Sequence, residues 1–497
     1  MTKQAQESNE NIATELIPQP WKNGTLKLEK LGSLETIDQE LLTTISHIKR
    51  FSERWHAHPE FREQVSVDPY GAVVRYGLKV APEEIRPLWD TEFTKKIGEE
   101  VTIPALLKLY REFDEKFGKV EVMRSAAASP SEPLFKAWRE RQIARAASQF
   151  KQSVHNAIIH SPVCFELSKG CSIGCRFCGI AAPRLSDIFI YNPENARFWR
   201  EVLELMKEIL GPAAGAGFCY WATDPLDNPD YEKFCSDFHE ITGIFPQTTT
   251  AQPLKDPART RTLLKLSREK SGAFNRFSIL SLKMLEQVYE EFSAEELSLV
   301  KLVLLNEESD SIKANAGRER ERNIKKGKKD SEFPDQGTIA CVSGFLFNMV
   351  DRSVKLVSPC NADERWPLGY IVYDEGNFSD VNDLKIILER MITDNMPLTV
   401  RPNNLMNFRR DLNYESLPDG FQLSTRFKTF KFRDDTYLKE LGEVIHKGEK
   451  TAEDIALLFD TYGVSPTHTF HNFNLMFSRG VLDAEPKSKK SELSVGA

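Results

Sequence analysis

Three cysteines near the middle of the chain have the type and spacing suited to metal chemistry. They form the pattern Cys171-x3-Cys175-x2-Cys178, on a short loop just past a predicted strand at residues 163–167. Three thiolates on such a loop can hold three irons of a [4Fe–4S] cluster. The loop also contains three glycines that let the backbone wrap closely around a cluster: Gly170, Gly174 and Gly179. Three protein ligands leave one iron open, which can chelate a small molecule and pass it an electron.

A zinc site is the main structural alternative, with Cys164 as a fourth ligand beside Cys171, Cys175 and Cys178. Structural zinc usually draws on two separated pairs of ligands, whereas three of these cysteines share one loop. Cys164 is also expected to lie within the strand, below the loop. The spacing therefore favours the iron–sulfur cluster, and a zinc site or three buried structural thiols remain the alternatives.

The composition predicts a multi-domain cytoplasmic protein. The chain has 497 residues, of which 40% are hydrophobic and 28% charged, with eight cysteines and a net charge of −7. At about 150 residues per domain this length suggests roughly three domains. No stretch approaches the roughly 20 apolar residues of a membrane helix, and the polar N-terminus is unlike a signal peptide. The cysteine content suits a reducing compartment, and the acidic balance argues against a nucleic-acid partner.

Short apolar runs alternate with helical stretches after residue 162, which predicts an α/β protein with a parallel sheet. The predicted strands are residues 163–167, 217–222, 245–249, 277–280 and 302–305. The intervening helices include residues 195–210 and 281–292. This alternation is long enough for a partial or full β/α barrel.

The later part of the chain contains two hairpins and a charged stretch. Residues 338–357 predict one hairpin and residues 421–432 a second, followed by three helices with Thr451 and Ser465 as N-caps. Residues 306–336 are charged and poor in apolar side chains. They predict a solvated loop, with a basic lid near an anionic substrate or cofactor as the alternative.

The cysteine spacing, with an aromatic residue before the third cysteine, resembles the signature of the radical S-adenosylmethionine (SAM) superfamily. The resemblance implies a partial (β/α)6 barrel whose first strand precedes the motif. It also implies that Cys171, Cys175 and Cys178 bind a [4Fe–4S] cluster, and that Phe177 lies beside S-adenosyl-L-methionine. A flavodoxin or ferredoxin would then serve as the electron donor.

Further SAM contacts are expected on later strands. The family has a Gly-Gly-Glu-Pro-like stretch at the end of its second strand, where this chain has Thr223-Asp224-Pro225. The glycines are absent and Asp replaces Glu, but Asp224 and the backbone near Thr223 can still accept hydrogen bonds from an ammonium group. Asp224 as a simple turn opener is the alternative. Ser278, on the fourth strand, is expected to touch the ribose or carboxylate of the cofactor.

Residues 160–375 resemble radical SAM epimerases that mature proteusin-type peptides, through SKGCSIGCRFCGI, TDPLDNPDY and SPCNADERWPLGY. The resemblance implies conversion of L- to D-residues in a ribosomally made precursor. Cys360 is the expected hydrogen donor, because it follows a proline in a polar loop where an accessible thiol is expected; a buried, inert cysteine is the alternative. Cys341, inside an apolar strand, better fits a buried inert cysteine and is the alternative donor.

A peptide-recognition element is expected at the C-terminus. Residues 438–482, with the preceding hairpin, resemble winged-helix-like units that bind a leader peptide as an added strand, and a generic helical cap on the barrel is the alternative. Residues 61–78 resemble nitrile-hydratase-like leader peptides, or form a plain helical pair. The predicted segments are a helical, leader-like region (1–100), a helical bridge (101–160), the partial barrel (161–345), a hairpin and loop completing the active site (346–395), the recognition domain (396–483) and a disordered tail (484–497).

Two other functions remain open. One is a radical SAM enzyme that forms thioether or carbon–carbon crosslinks in peptides. Such enzymes commonly carry extra cysteine-rich clusters, whereas no cysteine follows Cys360 in this chain. The other is a non-catalytic peptide-binding protein whose cysteine loop holds zinc.

Overall fold

The computed structural model describes residues 39–97, 104–118, 128–270, 274–311, 313–333, 337–433 and 437–486. The predicted tail lies largely outside these ranges. The α-helices, in chain order, are α1 (Gln39–Ala57), α2 (Pro59–Val67), α3 (Pro69–Arg75), α4 (Thr91–Lys95), α5 (Ala105–Gly118), α6 (Pro133–Gln149), α7 (Gln152–Ala157), α8 (Pro193–Leu210), α9 (Tyr231–Thr242), α10 (Pro257–Lys270), α11 (Leu282–Glu291), α12 (Gly317–Lys325), α13 (Val381–Asn395), α14 (Leu438–Lys447), α15 (Ala452–Asp460) and α16 (Pro466–Ser478). The strands are β1 (Ser161–Glu166), β2 (Ser168–Lys169), β3 (Asp187–Ile188), β4 (Thr249–Thr250), β5 (Asn275–Ile279), β6 (Val300–Leu304), β7 (Val342–Asn348), β8 (Ser353–Pro359), β9 (Tyr370–Asn377), β10 (Asn413–Leu417), β11 (Gly420–Ser424) and β12 (Thr429–Phe432).

The chain divides into two compact units, each built from two segments. Unit 1 comprises residues 1–123 and 249–312, and unit 2 comprises residues 124–248 and 313–497. In unit 1, β4, β5 and β6 form a parallel sheet, in which Phe277 is paired with Leu302. The predicted strands at 277–280 and 302–305 are confirmed. The run at 245–249 forms only the two-residue β4, and Pro246 within it has no N–H to donate to a ladder.

The leader-like residues 61–78 are folded into unit 1 as the helical pair α2 and α3. Asp68 caps α3 by accepting a hydrogen bond from the Gly71 N–H at 2.9 Å, as Asp-Pro at a helix start predicts. Phe61 and Val65 are fully buried in a core that includes residues of α1. The hydrophobic positions of this segment therefore serve, at least in part, to build the core of unit 1.

In unit 2, the central sheet has the order β1-β7-β8-β9. Strands β1 and β7 are parallel, and β7 to β9 are antiparallel neighbours, so the first predicted hairpin is confirmed. The predicted strand at 217–222 is reduced to one parallel bridge between Phe218 and Cys164. The Ala222 N–H is hydrogen-bonded to the Glu166 side chain at 2.7 Å, so it does not join a backbone ladder there.

A further three-stranded sheet precedes the last helices. Strands β10, β11 and β12 are antiparallel, and α14, α15 and α16 follow, so the second hairpin and the three helices are confirmed. Thr451 and Ser465 cap α15 and α16 as predicted. Phe421, Leu441 and Phe473 are fully buried in the core that joins sheet and helices.

The fold class is mixed α/β, as predicted. The strands of the described residues form four separate sheets, and none of these sheets closes into a barrel. Within the described part of the chain, no helix has the length and apolar character needed to cross a membrane.

The β1 side of unit 2 depends on a buried aromatic group. Phe165 is fully buried, with its ring centroid 4.9 Å from that of Trp199 and 5.1 Å from that of Phe347. Phe165→Ala is therefore expected to lower the free energy of unfolding by about 3–5 kcal/mol, as measured by chemical denaturation. Leu457→Ala is a matched control, because Leu457 is 58% exposed. A loss below about 1 kcal/mol for Phe165→Ala would contradict this packing.

Candidate metal centre

The cysteine loop, residues 170–179, leaves the sheet of unit 2 just after β1 and β2. The chain after the loop runs back alongside the chain before it, because β2 and β3 pair in an antiparallel orientation. The Cys171 N–H donates to the Pro183 carbonyl at 2.9 Å, and the Leu185 N–H donates to the Cys171 carbonyl at 3.2 Å. The first cysteine is therefore held by backbone hydrogen bonds on both of its peptide groups.

Two glycines make this tight loop possible. Gly170 and Gly174 have φ angles of +84° and +63°, in the left-handed region that disfavours other residues. A Cβ atom at Gly174 would lie 2.4 Å from Nη1 of Arg184, and one at Gly170 would lie 2.4 Å from the Arg184 carbonyl oxygen. The left-handed φ angles and these close approaches explain why glycine occupies both positions; that the loop wraps around a cluster stays a prediction.

The three cysteines of the loop are free thiols, each partly exposed. Burial, together with the neighbouring Cys178 and Cys171 thiols, raises the pKa of Cys175 to about 11. The three thiols are therefore close enough to influence one another electrostatically. Burial and repulsion from its two neighbours disfavour the Cys175 thiolate in the absence of a cation, whereas bound metal stabilises a thiolate and releases its proton.

The cysteine side chains in and before the loop bear on the two kinds of metal site that the sequence leaves open. In the part of the chain that the structure describes, no group of three or more His, Cys, Asp or Glu side chains is arranged to hold one metal ion. The Cys164 thiol is buried in β1 and donates to the Tyr220 carbonyl at 3.0 Å. In a [4Fe–4S] cluster each iron takes its own thiolate, so ligands surround a cube instead of converging on one point. Cys164 therefore lies within the strand, as expected, with its thiol bonded to a backbone carbonyl.

Asp227 supports the cysteine loop through hydrogen bonds. It lies in the segment that follows the β-bridge between Phe218 and Cys164. Its carboxylate accepts two hydrogen bonds from Ser172: one from the backbone N–H at 2.9 Å and one from the hydroxyl at 2.6 Å. Asp227 is also buried. Sequence reasoning missed this residue, although its place in the TDPLDNPDY stretch was a usable signal.

Removing this support is expected to weaken metal retention. Asp227→Asn replaces one acceptor oxygen by an N–H donor group facing Ser172, and outer-shell changes of this kind typically cost about 10–100-fold in metal affinity. The measurement is the iron retained against increasing chelator concentration. Ser172→Ala is the matched control, because it removes only the hydroxyl bond and should cost less. Wild-type iron retention in Asp227→Asn would contradict this role.

Thr223 and Asp224 are buried near the loop. Oδ1 of Asp224 accepts the Leu226 N–H at 3.0 Å and caps the 3-10 helix Pro225–Asp227, so the residue does open a turn. Its charge also contributes to the raised pKa of Cys171, after the larger effect of burial. The structure thus brings Asp224 close to the first cysteine of the loop.

The other two expected cofactor contacts lie in different units. Phe177 is partly buried in the loop itself, and the Lys313 ammonium nitrogen lies 5.7 Å from the centre of its ring. Ser278 is in β5 of unit 1, half-buried and paired with Val303.

Arg318, at the start of α12, binds the backbone of the cysteine loop. Its N–H donates to the Cys178 carbonyl and its Nη1 to the Cys175 carbonyl, each at 3.0 Å, while its Nη2 donates to the Ala182 carbonyl. The preceding Gly317 N–H donates to the Pro367 carbonyl at 2.8 Å. The charged stretch is therefore not only a solvated loop, because it contains α12 and this backbone contact.

Cys360 is not the accessible thiol that its loop position predicts. The side chain is 2% exposed, and burial raises its pKa strongly, with the Arg145 charge acting in the opposite direction. Arg145 of α6 donates to the Ser358 hydroxyl at 3.0 Å and to the Pro359 carbonyl at 2.7 Å. The chain leading to Cys360 is thereby held against a helix, which the local sequence does not indicate.

Cys341 is more exposed than Cys360, the reverse of the expected order. It lies one residue before β7, next to a buried cluster that includes Cys164 and Val342. Ile180, just after the cysteine loop, packs against the same cluster. The structure therefore brings Cys341 and the end of the loop to one hydrophobic cluster.

Fold and site together define an α/β protein with three free thiols on a loop after strand β1. The chain is 38% identical over 452 residues to the uncharacterized protein y4wI of Sinorhizobium fredii, an alignment covering 89% of this chain and 88% of that protein. The chain therefore belongs to the same family as y4wI. No protein-family model matches it, and no solved structure matches it.

Proposed function

We propose that this chain is a radical SAM epimerase that converts L- to D-amino-acid residues in a ribosomally synthesised precursor peptide. The observation that carries the proposal is the cysteine loop, in which three neighbouring free thiols are held by glycines, Asp227 and Arg318. The proposed fold is the partial (β/α)6 barrel. Within unit 2 the parallel pairing of β1 with β7, and within unit 1 the parallel pairing of β4, β5 and β6 with helices α10 and α11 between them, are of the kind that such a barrel uses.

The residues of the loop and its neighbours would hold the cofactors. Cys171, Cys175 and Cys178 would bind a [4Fe–4S] cluster, and S-adenosyl-L-methionine would be bound by Phe177, Thr223 and Asp224 of unit 2. The contact expected from Ser278, in β5 of unit 1, stays a prediction of the resemblance. When bound, these groups supply a 5′-deoxyadenosyl radical, which can remove a Cα hydrogen from a peptide. The Asp224 carboxylate, which can accept several hydrogen bonds, would orient the ammonium group of the cofactor.

Cys360 is the proposed hydrogen donor, with Cys341 as the alternative. Inversion requires the S–H bond to break and a C–H bond to form on the opposite face of the peptide radical, which leaves a thiyl radical on the cysteine. Burial raises the pKa of Cys360, which keeps the hydrogen on sulfur. The Cys360 loop is also tied to the cysteine loop, since Gly317 bonds to Pro367 and Arg318 to Cys178.

The C-terminal sheet and helices are the proposed site for the leader of the precursor. Strands β10 and β12 lie at the two edges of a three-stranded sheet, and an extended peptide can add to such an edge through backbone hydrogen bonds. The proposed compartment is the cytoplasm, where thiols stay reduced, and the electron donor is a flavodoxin or ferredoxin. No nucleic-acid or membrane partner is part of the proposal.

Anaerobic purification with iron and sulfide analysis tests this proposal at its first step. The expected protein contains iron and sulfide, shows broad visible charge-transfer absorption, and forms 5′-deoxyadenosine when S-adenosyl-L-methionine and a reductant are added. Bound zinc without such absorption would contradict the proposal and favour the zinc-containing peptide-binding alternative.

A further inference from the structure

Basic side chains follow one another along helix α12 and the residues just after it, beginning at the contact with the cysteine loop. Residues 317–329 contain seven basic and two acidic side chains, within a chain of net charge −7. Arg318 is bound to carbonyl groups of the loop, and Arg320 is paired with Asp330 at 2.8 Å. Arg318 and Arg320, in the first turn of this segment, therefore form structural contacts. The lysines lie further along the segment.

Four lysines form what we call the lysine patch: Lys325, Lys326, Lys328 and Lys329. All four are exposed, and none forms an ion pair with another residue that the structure describes. Ile324, beside them, is 47% exposed. At 1.5 Å per residue, the patch begins about 10 Å along the helix from the contact between Arg318 and Cys178. A cationic surface with an apolar neighbour thus lies a short distance from the thiols.

We propose that the lysine patch is the docking surface for a small acidic one-electron carrier protein that reduces the cluster. This inference rests on the proposed function, because it assumes a cluster in the cysteine loop. In each docking event the carrier loses one electron and the cluster gains one, so no other reactant is required. Complementary charge accelerates such an encounter and fixes its orientation.

Two features of the surface favour a protein over a polyanion or a small anion. Residues 317–329 contain no aromatic side chain on which bases could stack, and the chain as a whole is acidic. All four lysines are exposed and lie within a run of five residues, so a broad acidic face carries the complementary charge.

The test compares wild type with the charge-reversal variant Lys325→Glu, Lys326→Glu, Lys328→Glu, Lys329→Glu. A purified flavodoxin is the probe, and its binding is measured on protein without iron at several salt concentrations. Cluster bleaching by photoreduced flavodoxin is then measured on reconstituted protein. Four exposed lysines of unit 1 give a matched control variant, with Lys79, Lys96, Lys108 and Lys283 each changed to Glu.

The reversal variant is expected to lose salt-sensitive flavodoxin binding and to be reduced at least about 10-fold more slowly. Reduction by dithionite should be unchanged, and the control variant should behave as wild type. Flavodoxin binding and reduction at wild-type values in the reversal variant would overturn the proposal. So would a patch-dependent affinity for a short RNA with none for flavodoxin. If wild type fails to assemble a cluster, the proposed function fails, and the binding measurement still decides whether the patch is a docking surface.

Discussion

Replacing Cys175 with alanine is expected to reduce the iron content and cofactor cleavage to background. Cys175 is the middle ligand of the loop, and its carbonyl is bound by Arg318 at 3.0 Å, so the backbone should hold its position without the thiol. Only one of the three iron ligands would be removed, and a cluster with two remaining protein thiolates is not retained. The measurements are iron and sulfide content, visible absorption and 5′-deoxyadenosine formation.

Cys235→Ala is the control for this experiment. Cys235 is also a free cysteine, but it is fully buried in helix α9. Its replacement should leave iron content and cofactor cleavage close to wild type. A Cys175→Ala protein with full iron content would show that the loop thiols are not the cluster ligands.

Replacing Cys360 with alanine is expected to abolish formation of D-residues while cofactor cleavage continues. The variant keeps the cysteine loop and its supporting residues, so radical formation should persist. It lacks the S–H bond that returns hydrogen to the peptide. Chiral amino-acid analysis of a co-expressed precursor measures the first effect, and 5′-deoxyadenosine measures the second.

Cys341→Ala is the matched variant, because Cys341 is the alternative donor and directly precedes β7, as Cys360 directly follows β8. It should retain epimerisation if Cys360 is the donor. The reverse result, with D-residues lost only in Cys341→Ala, would transfer the role to Cys341. Full epimerisation in both single variants would contradict a donor thiol at either position.

Local sequence patterns predicted the elements that depend on local chemistry. The caps at Thr451 and Ser465 follow from side-chain hydrogen bonds three residues along the chain. The hairpin of β7 and β8 and the need for glycine at position 174 are likewise local. The proximity of the three cysteines follows from their spacing within one loop.

Features that depend on contacts between distant segments were not predictable in this way. Asp227 reaches Ser172 across 55 positions, and Arg318 reaches Cys175 across 143. The burial of Cys360 depends on Arg145, more than 200 positions earlier in the chain. A polar loop sequence indicates exposure only where no other element covers it, and here helix α6 supplies that cover.

The central claim is the conversion of L- to D-residues by a cysteine that exchanges its hydrogen with solvent. Its most direct test is co-expression with a candidate precursor in deuterated water, followed by mass spectrometry and chiral analysis. The account predicts one deuterium per inverted residue and no other change in mass. A product with D-residues but no deuterium, or a product with the mass change of a crosslink, would contradict it.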